Sequence, residues 1–312
     1  MLEEYALVPD IFDPAAYSKP DYADMCLAHL KEPLLREALV RDLCDGEWSR
    51  YCLANSAGMH RLTGELLRKL QSKNRLCRCS RCGNTTPSKA TDWCQEAIDS
   101  QANEPLSGVI AGNVTKQQFQ NESVVCSIEK LSGASWYQNR GSSRTVDRKT
   151  AEYLGLLDRI LRQANSLMFI DPYLDPTQNG YRDFHNLLLP LRSRNPAPVI
   201  ELHRSFCLGG GSARVFPTQA EWESRFAPLD TQLKRVGITA EVFLWQVFHD
   251  RYLVTDIIGL TVGAGFGITT HPDDVTTWAR LGLKDRDDVQ RKYDPAARAN
   301  ELKHRFGIGR RE

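Results

Sequence analysis

The sequence predicts an α/β protein: a mixed sheet flanked by helices, preceded by a mainly helical N-terminal region. Three observations carry this. From Asp147 onward, apolar runs of strand length alternate with helix-period segments as β-α-β-α-β and close on two adjacent strands. Before Gln71, apolar residues recur at helical spacing. The composition, 41% hydrophobic and 25% charged over 312 residues, is that of a chain able to bury a core.

The elements follow in order. Leu34, Leu35, Ala38, Leu39 and Leu43 share one helical face, with Pro33 suited to a first turn and Asp45-Gly46 as the stop. A second helix is expected from Glu47 to Gln71, carrying Leu53, Met59, Leu62, Leu66, Leu67 and Leu70. Between Cys77 and Asp147 the pattern weakens, leaving short strands at Ser107–Ala111 and Ser123–Ile128. Asp147 is placed to cap a helix with Tyr153, Leu156, Leu157, Ile160 and Leu161 on one face. Strands then follow at 166–170, 198–202, 239–246, 251–255 and 260–262, with helices at 180–193 and 219–235 among them. The charged tail from Asp285 suggests one more helix at Pro295–Arg305. The division expected is a module of residues 1–146 and an α/β domain of residues 147–312 with a charged C-terminal tail.

Several classes are disfavoured. No apolar run reaches the roughly 18–20 residues a transmembrane helix needs. The acidic start Met1-Leu2-Glu3-Glu4-Tyr5 does not resemble a signal peptide, so a cytoplasmic, reducing location is expected, with its nine cysteines free of disulfides. Cys26, Cys44, Cys52 and Cys207 read as small buried apolar residues. Cys79-Ser80-Arg81-Cys82-Gly83 has the C-x-x-C-G form of a zinc knuckle, two thiolates on a turn that glycine permits. Cys77, Cys79, Cys82 and Cys94 are the expected ligands of a structural zinc, with Cys126 or His60 as substitutes. Reduced, unliganded thiols on a loop fit the same spacing equally well. Four protein ligands would leave such a metal no open position for catalysis.

Basic residues cluster three times. Arg61, Arg68, Lys69, Lys73, Arg75, Arg78, Arg81 and Lys89 stand against Glu65 alone, a local balance of +7 in a chain whose net charge is +1. Arg140, Arg144, Arg148 and Lys149 form a second group, and Arg298, Lys303, Arg305, Arg310 and Arg311 a third. A knuckle beside a basic helix suits the phosphate backbone of a nucleic acid; for any one cluster, a solvated helix face is the plainer account.

Phe248-His249-Asp250-Arg251-Tyr252-Leu253-Val254-Thr255-Asp256, continuing to Gly263-Ala264-Gly265-Phe266, carries the chemistry. On a strand, positions 249 and 251 share a face. A histidine beside a fixed cation and a glycine-rich turn can serve phosphoryl chemistry: the imidazole attacks phosphorus or moves a proton, and the cation neutralises non-bridging oxygens. Asp171 and His203, at the ends of the first two strands of the unit, are second-rank candidates for the same cleft. A packed strand whose His and Arg pair with Asp256 or Asp171 is the structural alternative.

This stretch resembles the HxKxxxxDxxxxxxGSxN motif of the phospholipase D superfamily. His249, Asp256 and Gly263 match, Arg251 stands at the Lys position, and Ala264 and Phe266 replace the Ser and Asn. Ile170-Asp171-Pro172-Tyr173-Leu174 is similar to a strand common in bacterial members. The resemblance covers roughly residues 147–266 and implies a phospholipase D-like sheet. It also implies a metal-independent phosphodiesterase with His249, Arg251 and Asp256 at its centre, needing no cofactor for catalysis. A chain with one motif would work as a homodimer, pairing His249 of each copy. The implied function is a nuclease acting on DNA or RNA, with a role in anti-phage defence beside a protein partner as a further implication of the resemblance. The alternative is an inactive scaffold that binds nucleic acid, anionic lipid or a protein. A lipase is third, since no amphipathic insertion segment is evident.

Overall fold

The computed structural model describes residues 1–310 except 210, 270 and 272. Arg311 of the third basic cluster therefore lies outside the described residues. The chain divides into two units, Leu2–Gly141 and Ser142–Glu312 together with Met1.

Residues Leu2–Gly141 form an α/β unit in their own right, which corrects the mainly helical expectation. Strands β1 (Glu3–Leu7), β2 (Ala38–Asp42), β3 (Leu76–Arg78), β4 (Gly108–Ala111) and β5 (Val125–Ser127) make an all-parallel sheet in the order β3-β2-β1-β4-β5. Every residue of β2 and β4 is buried, as in a sheet covered on both faces. The helices at Tyr22–Arg36, Leu43–Ala54, Leu62–Ser72 and Ala90–Asp99 connect the strands. Leu27, Leu30, Trp48, Leu66, Leu70 and Trp93 pack with Tyr5, Leu7, Val40 and Ile110 in one core. The expected strands near 107–111 and 123–128 are β4 and β5. The helix expected around Leu34–Leu43 instead ends at Arg36, with Pro33 in its last turn, and Ala38 opens β2. The expected Glu47–Gln71 helix is two helices joined by a 3-10 turn at Ser56–Gly58.

The second unit holds β6 (Ser143–Asp147), β7 (Ser166–Ile170), β8 (Val199–Ser205), β9 (Ala240–Trp245), β10 (Tyr252–Thr255), β11 (Gly259–Val262), β12 (Val275–Arg280) and β13 (Leu302–Ile308). Its sheet order is β13-β9-β8-β7-β10-β11-β12-β6. Only the central β7-β8-β9 pairs run parallel. This is the expected mixed sheet flanked by helices. The helix Gln219–Val236 shows how clearly some of it was written. Thr218 and Glu221 form a reciprocal capping box at its start, and Gly237 takes φ +72° at its end. Asp147 ends a strand rather than capping the next helix, which begins at Thr150. The segment expected as a helix at 180–193 holds one turn at His185–Leu188 and a 3-10 stretch at Leu189–Ser193. In the tail, the helix is Leu283–Lys292, and Leu302–Arg305, expected helical, opens β13. Among the described residues, no helix is long and apolar enough to cross a membrane.

Candidate functional site

The parallel strands β7, β8 and β9 deliver their carboxyl ends, Ile170, Ser205 and Trp245, to one edge of the second unit, where ligands of open α/β sheets collect. A cavity of about 150 Å³ opens there, lined among others by Tyr173, Gln178, Arg204, Ser205, Arg214 and His249.

His249 lies in the loop between β9 and β10, exposed, so the strand alternation that would pair it with Arg251 does not apply. Arg251 immediately precedes β10 and is committed inward. Its Nε lies 3.9 Å from Asp171 Oδ1, its Nη1 donates to the Gly263 carbonyl at 3.4 Å, and its guanidinium carbon stands 5.0 Å from the centre of the Tyr173 ring. Asp256 occupies the far end of β10, where it accepts from the backbone N–H groups of Asn165 (2.9 Å) and Ser166 (3.4 Å). The four strand residues between them, five steps along the chain, separate Asp256 from Arg251 by roughly 16 Å. The structure thus brings His249 and Arg251 to one end of β10 and Asp256 to the other.

Asp171 is fully buried and is the organising group of this end. Its Oδ2 accepts from Tyr181 Oη (2.9 Å) and the Phe266 N–H (3.0 Å), and its Oδ1 from the Tyr173 N–H (3.0 Å). The glycine-rich turn packs directly on it: a Cβ at Gly265, whose φ is +78°, would fall 2.2 Å from Oδ2. Burial and the Asp171 charge push the Tyr181 phenol above its ordinary range, so it stays a donor. Phe266, at the Asn position of the motif, is 1% exposed and stacks edge-on with Phe169, Phe184 and Trp278. The last motif positions therefore build core and backbone support.

His203 does not line the cleft. It is fully buried, accepts from Trp245 Nε1 at 2.8 Å through Nδ1, and stacks on Phe243 at 4.7 Å. Its neighbour Arg204, which sequence reasoning passed over, faces the other side of β8 and lines the cavity. Beside Glu201 and His203 in the same strand, nothing in the local pattern marks it out.

In the N-terminal unit, Cys79 and Cys82 come together, their thiols 3.5 and 3.7 Å from the Ser80 carbonyl. Cys77 lies on β3 in register with Arg41. Cys94 is wholly buried in the core, with Asp10, Lys116 and Glu122 as its charged surroundings rather than Cys79 and Cys82. Burial pushes the Cys79 thiol up to about 11 and Cys94 up to about 12. Among the described residues, no three His, Cys, Asp or Glu side chains are arranged to hold a metal ion. A group not anticipated holds the C-x-x-C-G turn: the Glu96 carboxylate, 3% exposed, accepts from the N–H groups of Cys82 (2.6 Å) and Gly83 (2.8 Å).

The basic clusters are partly spent within the fold. Arg75 is buried and donates to the Ala38 carbonyl; Arg61 pairs with Asp24, Lys69 with Glu65 and Arg81 with Glu47. Arg140 pairs with Glu37, Arg148 with Asp274, and Arg305 and Arg310 with Glu241.

No protein-family model matches the chain, and no curated protein does. Among solved structures, the chain is similar to TrmBL2, described as an archaeal chromatin protein with a novel mode of DNA binding. The TM-score is 0.30 with 9% identity, over 83% of this chain and 93% of that one, a likeness too slight to carry an argument about fold or function.

Proposed function

We propose that the C-terminal unit is a phospholipase D-like phosphodiesterase acting on nucleic acid, with His249 as nucleophile at a homodimer interface. The observation that supports this reading most is the position of His249. It is exposed on the rim of a cavity at the strand carboxyl ends, beside two arginines, and among the described residues no hydrogen bond or ion pair engages its ring. In this reading its unprotonated nitrogen attacks phosphorus and forms a P–N bond as the P–O bond breaks. His249 of the partner subunit gives the leaving oxygen its proton, and water then hydrolyses the phosphohistidine. Arg251, held by Asp171, fixes the strand that carries the loop and adds positive charge.

The second reading, a scaffold that binds nucleic acid without cutting it, draws on the aromatic packing of Phe266 and the inward commitment of Arg251. Incubation with single- and double-stranded DNA and RNA in EDTA separates the two. The enzyme reading expects cleavage that His249→Ala lowers by about 10³-fold or more. Cleavage indifferent to that substitution would remove His249 from the chemistry. Salt-sensitive binding with no cleavage under any condition would favour the scaffold.

A further inference from the structure

Arg204 is a buried cation with unmet donors. It is 2% exposed, and its Nη2 donates to the Pro172 carbonyl at 3.2 Å. Its Nε and Nη1 are buried without a hydrogen-bond partner among the described residues. One face of the guanidinium lies 4.0 Å from the centre of the Trp222 ring. The two carboxylates whose charge reaches it are engaged elsewhere. Asp175 accepts from Thr177 and from Arg225 Nη1, and Asp171 from Tyr173, Tyr181 and Phe266. Burial lowers the Arg204 guanidinium to about 10, which still leaves it charged at neutral pH.

The surroundings complete a receptor for an anion. Arg214 and His249 line the same cavity as Arg204, and among the described residues no Asp or Glu does. Tyr173, Gln178 and Ser205 add hydroxyl and amide groups. One wall is backbone brought close by glycine: Gly209 and Gly211 have φ of +72° and +58°, and a Cβ at Gly209 would lie 2.6 Å from the Ala213 carbonyl. At about 150 Å³ the cavity is half the lower bound of ordinary small-molecule pockets, sized for a phosphoryl group rather than a whole nucleotide. Arg251 is not among its lining residues and is already turned to Asp171 and Gly263.

We propose that Arg204 anchors a phosphoryl-oxyanion subsite, with Arg214 as the second cation at its mouth, seating the non-bridging oxygens of the nucleic-acid phosphodiester that His249 attacks. This deepens the phosphodiesterase reading and rests on it. The two unmet nitrogens, Nε and Nη1, can each give a charge-assisted hydrogen bond to a phosphoryl oxygen, and the delocalised cation keeps its charge when buried, as a lysine would not. In this arrangement the motif arginine supports the strand, while an arginine outside the motif binds the substrate.

Titration of the full-length chain with inorganic phosphate, at fixed ionic strength in chloride, tests the subsite. The wild type is expected to bind saturably. Arg204→Gln should weaken phosphate by about tenfold or more, and Arg214→Ala by about three- to tenfold. Near-UV circular dichroism checks that Arg204→Gln keeps its packing. Should it not, the exposed Arg214→Ala carries the test. Equal phosphate affinity in the wild type and both arginine variants, or no saturable binding by the wild type, would overturn the subsite. If the wild type cuts oligonucleotides and neither arginine variant raises KM or weakens phosphate, the subsite falls and the phosphodiesterase reading stands. If phosphate binding depends on Arg204 while no nucleic acid is cut, the subsite stands and the phosphodiesterase reading falls.

Discussion

The imidazole of His203 couples folding to pH. It has no exposed surface, and Phe243, Trp245 and the edge of Tyr293 enclose it. Its Nδ1 accepts from Trp245, so the neutral ring carries its proton on Nε2, facing Glu201 Oε2 at 3.2 Å. Burial holds its pKa below the ordinary 6.5, with Glu201 offsetting only part of the effect. Above that value the folded and unfolded chains both hold it neutral, and its contribution to stability is fully present. As pH falls below it, the unfolded chain takes up a proton that the folded chain refuses. Stability then drops by up to about 1.4 kcal/mol per pH unit until the folded pKa is reached. His203→Gln keeps an acceptor for Trp245 and removes the proton. Urea unfolding at about pH 7.5 and about pH 5.5 should show a shallower acid loss in the variant, by up to one proton. An acid loss equal to that of the wild type would clear His203 of the effect. Adjacent residues thus divide the labour of β8: His203 fills the core on one face, and Arg204 lines the cavity on the other.

At the scale of elements, charge decided what could be read. Strands β7 to β11 were legible because their apolar runs are short, rich in Val, Ile, Leu and aromatic residues, and stopped by polar turns. Strands β1 and β2 were not, because each contains a buried charge. Glu4 Oε1 receives Arg41 Nε at 2.7 Å, with 1% and 0% of the two side chains exposed, while Arg41 Nη1 donates to Ser100 and Glu104 carbonyls. A glutamate and an arginine that pair across parallel strands look, in sequence, like two surface residues. The same blindness hid β13, whose Leu302, His304 and Phe306 alternate with exposed Lys303 and Arg305 but read as a charged tail. At the site, motif spacing found His249 and Arg251, whereas Arg204 depended on Trp222 and Pro172 folding against it, contacts that no local pattern encodes. The pair in the N-terminal sheet makes a measurable case. Arg41→Met leaves Glu4 buried without its cation and should cost about 3–5 kcal/mol by urea unfolding, whereas adding Glu4→Leu should recover much of that loss. If the double variant is as unstable as the sum of two singles, the pair is not the source of the cost.

For the whole molecule, the +1 net charge conceals two α/β units, and where the chain is cut decides whether the second can stand alone. Its first element is β6, an edge strand that runs antiparallel to β12 from Ser143↔Ala279 to Asp147↔Val275. The helix Thr150–Gln163 follows and sets Tyr153 against Trp278 of β12, with ring centroids 5.0 Å apart. A fragment that starts at Ser142 keeps β6. One that starts at Lys149 keeps the helix but strips the strand, turning β12 into an open edge with unpaired backbone groups along its length. The Ser142 fragment is expected to unfold cooperatively in urea and to elute as a discrete species. The Lys149 fragment is expected to unfold at lower denaturant and to associate as its concentration rises, because a bare edge templates pairing with another chain. Equal midpoints and equal elution for the two fragments would show that β6 adds nothing to the sheet. The contrast isolates seven residues, Ser142 to Arg148, that separate an eight-stranded sheet with a covered β12 from a seven-stranded one without.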